Sequence, residues 1–441
     1  MGVKLVTLVA ALTLAAGGEA GVFPFAHQVH RLDNGLKVIM IPLPSEGLVA
    51  YYSVVRTGSR DEVEPGHTGF AHFFEHMMFR GTEKYPGPVY DGIITSLGVS
   101  ANAYTTDDYT CYHMNITSVD LPRIIELEAD RFQNLSYPER EFQTEAGAVY
   151  GEYRKGRTSP FWLLFEAVQD KAYDVHTYKH TTIGFERDIA AMPTMYDYAK
   201  SFFRRFYRPD NVVIVVTGDF DPAATLALIN KQYGAWTPGY VAPEVQPEPE
   251  QQGERSVEVG YEGRSLPLLA LAYKGERFDP ASRDLAAGML LGDLVFGETS
   301  DVYRQLVLEQ RLVQRLMADF GPNRDVGLWS VIAVVGQEKD LDAVRHALDA
   351  AARTAQDAPP DPAALEDLKR RVRYQFLMDM DTADKVAGSL ARFVAITGGI
   401  EAVDALFATT AQVTPADIQA AARRYLATGR RTVAVLKGVQ R

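Results

Sequence analysis

The sequence predicts an α+β fold of two similar domains, and three observations lead to this prediction. Short alternating apolar patterns, typical of strands, are followed along the chain by longer patterns typical of helices. A stretch rich in proline and glutamate divides the 441 residues near the middle. The order of strands and helices before this stretch is repeated after it, and each half ends near an apolar strand.

The first half opens with a predicted hairpin in QVHRLDNGLKVIMIPLP, where Asp33-Asn34-Gly35 forms the turn. LVAYYSVV is a further strand, and the helix after it carries HFFEH at 72–76. A helix and two strands are predicted in YDGIITSLGVSANAYTTDDYTCYHMN, followed by a long helical region over 121–156. NVVIVVTGDF is a buried strand, and AATLALINKQYGAW is the helix after it.

The residues from Thr237 to Ser256 predict an extended linker, because they include four prolines and four glutamates with few apolar residues. The predicted organisation is therefore a leader at 1–20, a first domain at 21–236, the linker at 237–256 and a second domain at 257–441.

The first 20 residues have the layout of a secretory signal peptide: Lys4, an apolar run from Leu5 to Ala16, then small residues. Gly-Glu-Ala at 18–20 is the candidate cleavage site. A short first helix is the alternative, since the amino-terminal region of a signal peptide usually carries more than the one positive charge found here. Absence of Arg and Ser before Gly21 disfavours a mitochondrial transit peptide.

Composition removes several classes of function. The net charge of −12 argues against a nucleic-acid-binding surface. The sequence has no internal run of 18 apolar residues, so it predicts no internal membrane span. Cys111 is the one cysteine, so an internal disulfide and a multi-cysteine zinc site are both excluded. Any metal is expected on His, Asp or Glu.

His72 and His76 are four residues apart, so on a helix both imidazoles can reach one ion. Glu75 lies on nearly the same face and can sit beside the ion without ligating it. A His pair at this spacing is also common on helix surfaces. Here the flanking Phe and Met residues favour a metal site, because unpaired polar groups in apolar surroundings are costly.

The second half does not repeat these polar residues. When FAHFFEHMMFRGT is aligned with AGMLLGDLVFGET, His72, Glu75 and His76 fall opposite Met289, Gly292 and Asp293. The fold therefore does not require the polar residues of the first half, which points to a functional role for them.

Catalytic zinc usually has three protein ligands and a water, so a third ligand is needed. Spacing leaves several acidic candidates open in the helical region after Leu121: Glu126, Glu128, Asp130, Glu139, Glu141, Glu145 and Glu152. Glu145 and Glu152 share a helix face, being seven residues apart.

His-x-x-Glu-His is the inverted zinc motif of the inverzincins, and its surroundings resemble the pitrilysin family of zinc peptidases, in particular the two-domain branch of mitochondrial processing peptidase and its bacterial heterodimeric relatives. GLKVIMIP, GSRDE, GFAHFFEHMMFRGTEKYP, SANAYTTDDYTCYHM, ADRFQN and YRPDNVVIVVTGDFDP all occur in the family's order across residues 28–235. The second half resembles the family more loosely.

The resemblance implies two domains, each a mostly antiparallel sheet covered by helices, that form half of a clam-shell chamber. It implies one Zn²⁺ per chain with Glu152 as third ligand, Glu145 as the supporting carboxylate and Glu75 as the general base. Asn102, Ala103 and Tyr104 are expected on an exposed strand that pairs with an extended peptide; an ordinary hairpin strand is the alternative.

Family peptidases also carry an Arg and, seven residues on, a Tyr in the second domain. In this sequence those positions hold Val307 and Gln314. The departure implies a heterodimer, in which a homologous subunit without the zinc motif supplies the pair. A homodimer with different substrate contacts is the alternative.

The sequence therefore predicts an exported, periplasmic zinc endopeptidase that degrades small unfolded peptides. Two other functions compete with it: a non-catalytic structural or assembly subunit of the same fold, and a peptide-binding protein with a purely structural metal.

Overall fold

The computed structural model describes residues 21–438 of the chain. The predicted leader at 1–20 lies outside the described residues. Within them, no helix is both long and apolar enough to cross a membrane.

The first half is built on a six-stranded sheet. Its strands are β1 (Gln28–Arg31), β2 (Lys37–Pro42), β3 (Leu48–Val55), β4 (Ser100–Thr105), β5 (Thr110–Thr117) and β6 (Val212–Gly218). They lie in the order β1-β2-β6-β3-β5-β4, and only the β2–β6 pair is parallel. The predicted hairpin is confirmed: β1 pairs with β2, and Gly35 adopts the positive φ of 93° that the turn needs.

Eight helices belong to the first half as described: α1 (Phe70–Met77), α2 (Gly87–Ser96), α3 (Leu121–Asn134), α4 (Glu139–Gly156), α5 (Pro160–Ala172), α6 (Glu186–Ala191), α7 (Tyr196–Phe206) and α8 (Pro222–Tyr233). The long helical region predicted over 121–156 is two helices. It is interrupted before Pro138, because a proline disfavours helical backbone in the residue before it.

The segment 237–254 contains no helix or strand, and β7 begins at Arg255. The second sheet contains β7 (Arg255–Tyr261), β8 (Leu268–Lys274), β9 (Val313–Asp319), β10 (Leu328–Val335) and β11 (Arg431–Gly438). Its helices are α9 (Arg283–Phe296), α10 (Asp301–Tyr303), which continues into a π-helical turn at Arg304–Glu309, α11 (Leu341–Asp357), α12 (Pro362–Met378), α13 (Ala383–Thr397), α14 (Glu401–Ala411) and α15 (Pro415–Tyr425).

The two halves share one topology. The strand order β2-β6-β3-β5-β4 in the first sheet corresponds to β7-β11-β8-β10-β9 in the second, and in each sheet the first of these pairs is the parallel one. Helix α1 follows β3, and α9 follows β8 at the equivalent place. The α+β fold of two similar, mostly antiparallel domains is therefore confirmed.

Each sheet is also covered by a helix from the other half, which the sequence did not predict. Helix α13 packs on β3 and β6 of the first sheet, where its apolar side chains form a cluster with Ile39, Val54 and Val215. Helix α5 packs on β7, β8 and β11 of the second sheet. This exchange buries the outer face of each sheet and ties the halves together.

Cations from both halves hold the carboxyl end of α13. Arg56 donates from Nε to the carbonyl of Ala395 at 2.8 Å, and Arg324 donates to the same oxygen at 3.0 Å. Lys37 Nζ donates to the carbonyl of Gly398 at 2.7 Å. Positive charge at a helix carboxyl terminus is stabilising, so these contacts fasten the exchanged helix.

Candidate metal site

Helix α1 presents two different faces. Four apolar side chains at helical spacing are fully buried in the first core: Phe70, Phe73, Phe74 and Met77. The opposite side carries His72, Glu75 and His76. Burial of the apolar face therefore fixes the direction in which the polar side chains point.

Glu62 caps the amino terminus of α1, and sequence reasoning missed this residue. Its carboxylate accepts hydrogen bonds from the backbone N–H groups of Gly69 and Ala71, both at 2.7 Å. These donors have no partner within the helix, and the carboxylate also complements the helix dipole. Burial raises the pKa of Glu62 to about 8, against the lowering effect of the two N–H donors. The sequence signal for this role is the position of Glu62 in GSRDE, one of the stretches that resemble the family.

The structure brings His72, His76 and Glu152 together. One ligand atom from each lies within 4.8 Å of the others, and within residues 21–438 this is the only such group of three. Glu152 Oε2 is 3.8 Å from Nε2 of His72 and 3.4 Å from Nε2 of His76. Ligand atoms about 2 Å from a shared ion are separated by such distances. Glu152 reaches the pair from α4, half-exposed.

Glu145 lies two turns earlier on α4 and supports His76. Its Oε1 is 2.8 Å from Nδ1 of His76, and its Oε2 is bonded to the guanidinium of Arg80. Nδ1 of His72, by contrast, is buried with no hydrogen-bond partner in the described part of the chain. The orientation of only one imidazole is therefore secured by a carboxylate. Sequence reasoning also missed Arg80, although this residue lies in GFAHFFEHMMFRGT, four residues after His76.

The electrostatics of the cluster suit a cation. Burial lowers the pKa of His72 to about 4. Hydrogen bonds to Glu145 and Glu152 raise the pKa of His76 to about 9, because the two carboxylates stabilise the protonated imidazole. With both imidazoles neutral, three carboxylates (Glu75, Glu145 and Glu152) face the single guanidinium of Arg80. The carboxylates outnumber this cation, so the site favours a bound positive ion.

Glu75 stands beside this cluster without joining it. Its Oε2 accepts a hydrogen bond of 2.7 Å from the hydroxyl of Thr105, the last residue of β4. Burial raises the pKa of Glu75 above its ordinary value. The carboxylate is thus held between the histidine pair and the end of an edge strand.

Strand β4 is the edge of the first sheet and pairs only with β5 among the described strands. Ala103 belongs to the core on the α1 side, whereas the side chain of Tyr104 packs with the cluster under α13 on the opposite face. The N–H of Ala103 donates to the side-chain oxygen of its neighbour Asn102 at 2.9 Å. All three predicted residues therefore lie on the open edge, with their side chains on different faces.

The equivalent place in the second half is filled differently. A side chain at Gly292 would lie 2.7 Å from the ring of Phe320, so the aromatic ring occupies that space. Asp293 is exposed, 4.0 Å from the guanidinium of Arg371. Val307 packs against the second core from the π-helical turn, and Gln314 is exposed on β9.

Comparisons with known proteins agree with this architecture. The insulinase family of peptidases (Peptidase family M16) matches residues 37–185, and the Peptidase M16 inactive domain matches residues 195–372. The chain therefore belongs to peptidase family M16, as the resemblance to the pitrilysin group predicted.

The relatives match most of the chain. The zinc protease PqqE of Helicobacter pylori is 29% identical over 403 residues, which cover 89% of this chain and 88% of that protein. The mitochondrial-processing peptidase subunit beta of Lentinula edodes is 23% identical over 422 residues, covering 91% and 88%. The crystal structure of a protease from Helicobacter pylori has a TM-score of 0.87 at 26% identity, covering 94% of this chain and 99% of that one.

Proposed function

We propose that this chain is a zinc-dependent endopeptidase in which His72, His76 and Glu152 hold the ion and Glu75 is the general base. The observation that carries the proposal is the convergence of the three ligand atoms beside a fourth, non-ligating carboxylate. The names of relatives as zinc proteases support the choice of metal. Imidazole and carboxylate ligands suit zinc among several divalent ions.

Bound zinc would supply Lewis acidity at the scissile carbonyl and lower the pKa of a water. The protein's own groups then manage the proton. Glu75 accepts it from the attacking water and returns it to the leaving amine. The raised pKa of Glu75 makes it a better proton acceptor, and the Thr105 hydroxyl keeps its carboxylate in place. Glu145 fixes the ring of His76 from behind.

The substrate in this proposal is an extended, unfolded peptide that pairs with the open edge of β4. Backbone groups of alternate residues among Asn102, Ala103 and Tyr104 would provide the hydrogen bonds, a mode known as β-augmentation. A peptide strand at this edge would run close to Glu75, because the hydroxyl of Thr105 at the strand end donates to that carboxylate. The small side chain of Ala103 permits a close approach.

The proposed site is half of a chamber completed by a partner chain. The positions that hold an Arg and a Tyr in family peptidases are Val307 and Gln314 here, and neither side chain can bind a peptide carbonyl through a positive charge. We therefore propose a heterodimer with a homologous subunit that lacks the zinc motif, with a homodimer as the competing arrangement. The leader-like residues 1–20 support export to a bacterial periplasm.

A single experiment separates this function from the two alternatives. The purified chain, alone and with its partner, is analysed for zinc and assayed on an internally quenched unstructured peptide. The proposal predicts one zinc per chain and turnover that a chelator abolishes. A non-catalytic structural subunit is expected to bind no zinc and to show no turnover. A peptide-binding protein with a structural metal is expected to bind zinc and to show no turnover.

A further inference from the structure

The described chain begins with an arm, residues 21–27, that leaves its own half and lies on the second one. Phe23 is buried in the cluster formed with helices α13 and α14, whose members include Ile400 and Val403. The ring of Phe25 packs against Phe23 with centroids 5.7 Å apart. The arm then enters β1 of the first sheet.

The first residues of the arm rest on one carboxylate. Asp404, in the first turn of α14, accepts a hydrogen bond from the backbone N–H of Phe23 at 2.9 Å. A Cβ at Gly21 would lie 2.3 Å from Asp404 Oδ2 and 2.6 Å from Oδ1, so a side chain there would require the carboxylate to shift. The Gly21 Cα is accordingly within about 4 Å of this carboxylate, and the backbone nitrogen of Gly21 is bonded to that Cα at about 1.5 Å.

Gly21 is also the residue that follows the candidate cleavage site Gly18-Glu19-Ala20. Hydrolysis there by a leader peptidase adds one water across the Ala20–Gly21 peptide bond. The C–N bond breaks, Ala20 keeps the new carboxylate, and Gly21 gains an α-amino group that is protonated at neutral pH. A neutral amide at the end of the arm is replaced by a positive charge.

We propose that leader removal after Ala20 creates an ion pair between the α-ammonium group of Gly21 and the carboxylate of Asp404, which fastens the mature amino terminus to the second half. The inference rests on the proposed export and is independent of the metal site and of peptidase activity. Glycine at position 21 allows the close approach of this carboxylate, because a side chain there would displace it.

A second role for Asp404 has to be distinguished. An acidic residue in the first turn of a helix is stabilising by itself, and Glu401 occupies the same turn of α14. If Asp404 served only this role, Glu401→Gln and Asp404→Asn would destabilise α14 equally. Neither substitution would then change the rate at which the Gly21 α-amine is acylated. The asparagine variant retains a side-chain oxygen for the Phe23 N–H.

The test uses the full chain exported by a bacterial host. Intact mass and amino-terminal sequencing define the mature end, and acylation of the α-amine by an activated ester at pH 7 is followed by mass spectrometry. An ion pair that raises the amine pKa by about half a unit slows acylation about three-fold. We expect a mature end at Gly21 and acylation about three-fold faster in Asp404→Asn than in the wild-type chain, with less than 1.5-fold change in Glu401→Gln.

A variant with one serine inserted between Ala20 and Gly21 keeps Asp404 and moves the ammonium group by one residue. After cleavage before that serine, its amine is expected to react as fast as that of Asp404→Asn. A mature end at any residue other than Gly21 overturns the proposed processing. A mature end at Gly21 with equal acylation rates in wild type and Asp404→Asn overturns the ion pair. Neither result bears on the proposed peptidase activity, which is measured separately by peptide turnover.

Discussion

The carboxylate of Glu145 lies 2.8 Å from Nδ1 of His76 and turns its second oxygen to the guanidinium of Arg80. The imidazole can therefore donate its Nδ1–H to Glu145 while Nε2 faces the cluster. This arrangement fixes both the tautomer and the orientation of His76. His72 has no comparable support in the described chain, so the metal affinity should depend strongly on this one contact.

Replacing Glu145 with glutamine should weaken zinc binding about 10-fold or more, because a neutral amide orients and polarises the imidazole less well than a carboxylate. Competition with a chromophoric chelator measures the affinity. Glu141→Gln is the matched control, since Glu141 is exposed one turn earlier on the same helix. Equal affinities in the two variants would show that Glu145 is only a buried structural residue.

Glu62→Ala should lower both thermal stability and zinc affinity. The substitution leaves the N–H groups of Gly69 and Ala71 buried without an acceptor, at a cost of about 1–3 kcal/mol. It also loosens the helix that carries His72 and His76. Calorimetry and zinc titration check the two effects. Unchanged zinc affinity beside a large loss of stability would mean that the cap does not position the ligands.

Ala103→Pro should raise KM for extended peptides at least 10-fold while leaving zinc content unchanged. Proline removes the backbone N–H at the edge of β4, and edge positions tolerate proline within a sheet. Ala103→Ser is the control, because it preserves the N–H and adds one small atom. Steady-state kinetics on peptides of several lengths measure this KM. Equal KM values in the two variants would contradict the assignment of β4 as the peptide-binding strand.

Lys274 gives a pH-dependent prediction that does not involve the metal. Its ammonium group is buried over the ring of Tyr173, 3.6 Å from Glu248, and burial lowers the pKa to about 7. The unfolded chain, with a lysine pKa of about 10.4, binds more protons above pH 7, so stability should rise with pH between about 7 and 10.

Lys274→Met should remove this rise and increase the melting temperature near pH 7 by roughly 2–4 °C. Glu248 remains satisfied in the variant, because it accepts backbone hydrogen bonds from Asp174, Val175 and His176. Calorimetry of both chains between pH 6.5 and 9.5 tests whether the rise in stability is lost, with Lys385→Met, at an exposed lysine, as control. A variant that is less stable than wild type at every pH would contradict the prediction.

Much of the fold follows from local patterns in the sequence. The turn at Gly35, the buried strand β6 and the apolar face of α1 each combine the right periodicity with the right turn residues, so tertiary contacts had little to override. The exchange of α5 and α13 between the halves has no such signal. Both helices are apolar on the faces that they bury, and nothing local says which sheet will receive them.

The candidate site divides in the same way. Helical spacing alone places His72, Glu75 and His76 together, since four residues make about one turn. Spacing leaves seven carboxylates open as the third ligand, because the choice depends on how α3 and α4 pack against α1. The family resemblance, rather than the spacing, singles out Glu152. The roles of Arg80 and Thr105 are contacts between separate elements, which no single stretch of sequence records, whereas Glu62 lies seven and nine residues before the two N–H groups that it caps.

The exchange of Glu75 for glutamine tests the central claim most directly. Glutamine matches the size of the side chain and can still accept the Thr105 hydrogen bond, but it cannot take a proton from water. We predict that Glu75→Gln, assayed with the partner subunit, binds one zinc per chain with wild-type affinity and loses at least about 1,000-fold in kcat. Retained turnover in a zinc-loaded variant would contradict the account.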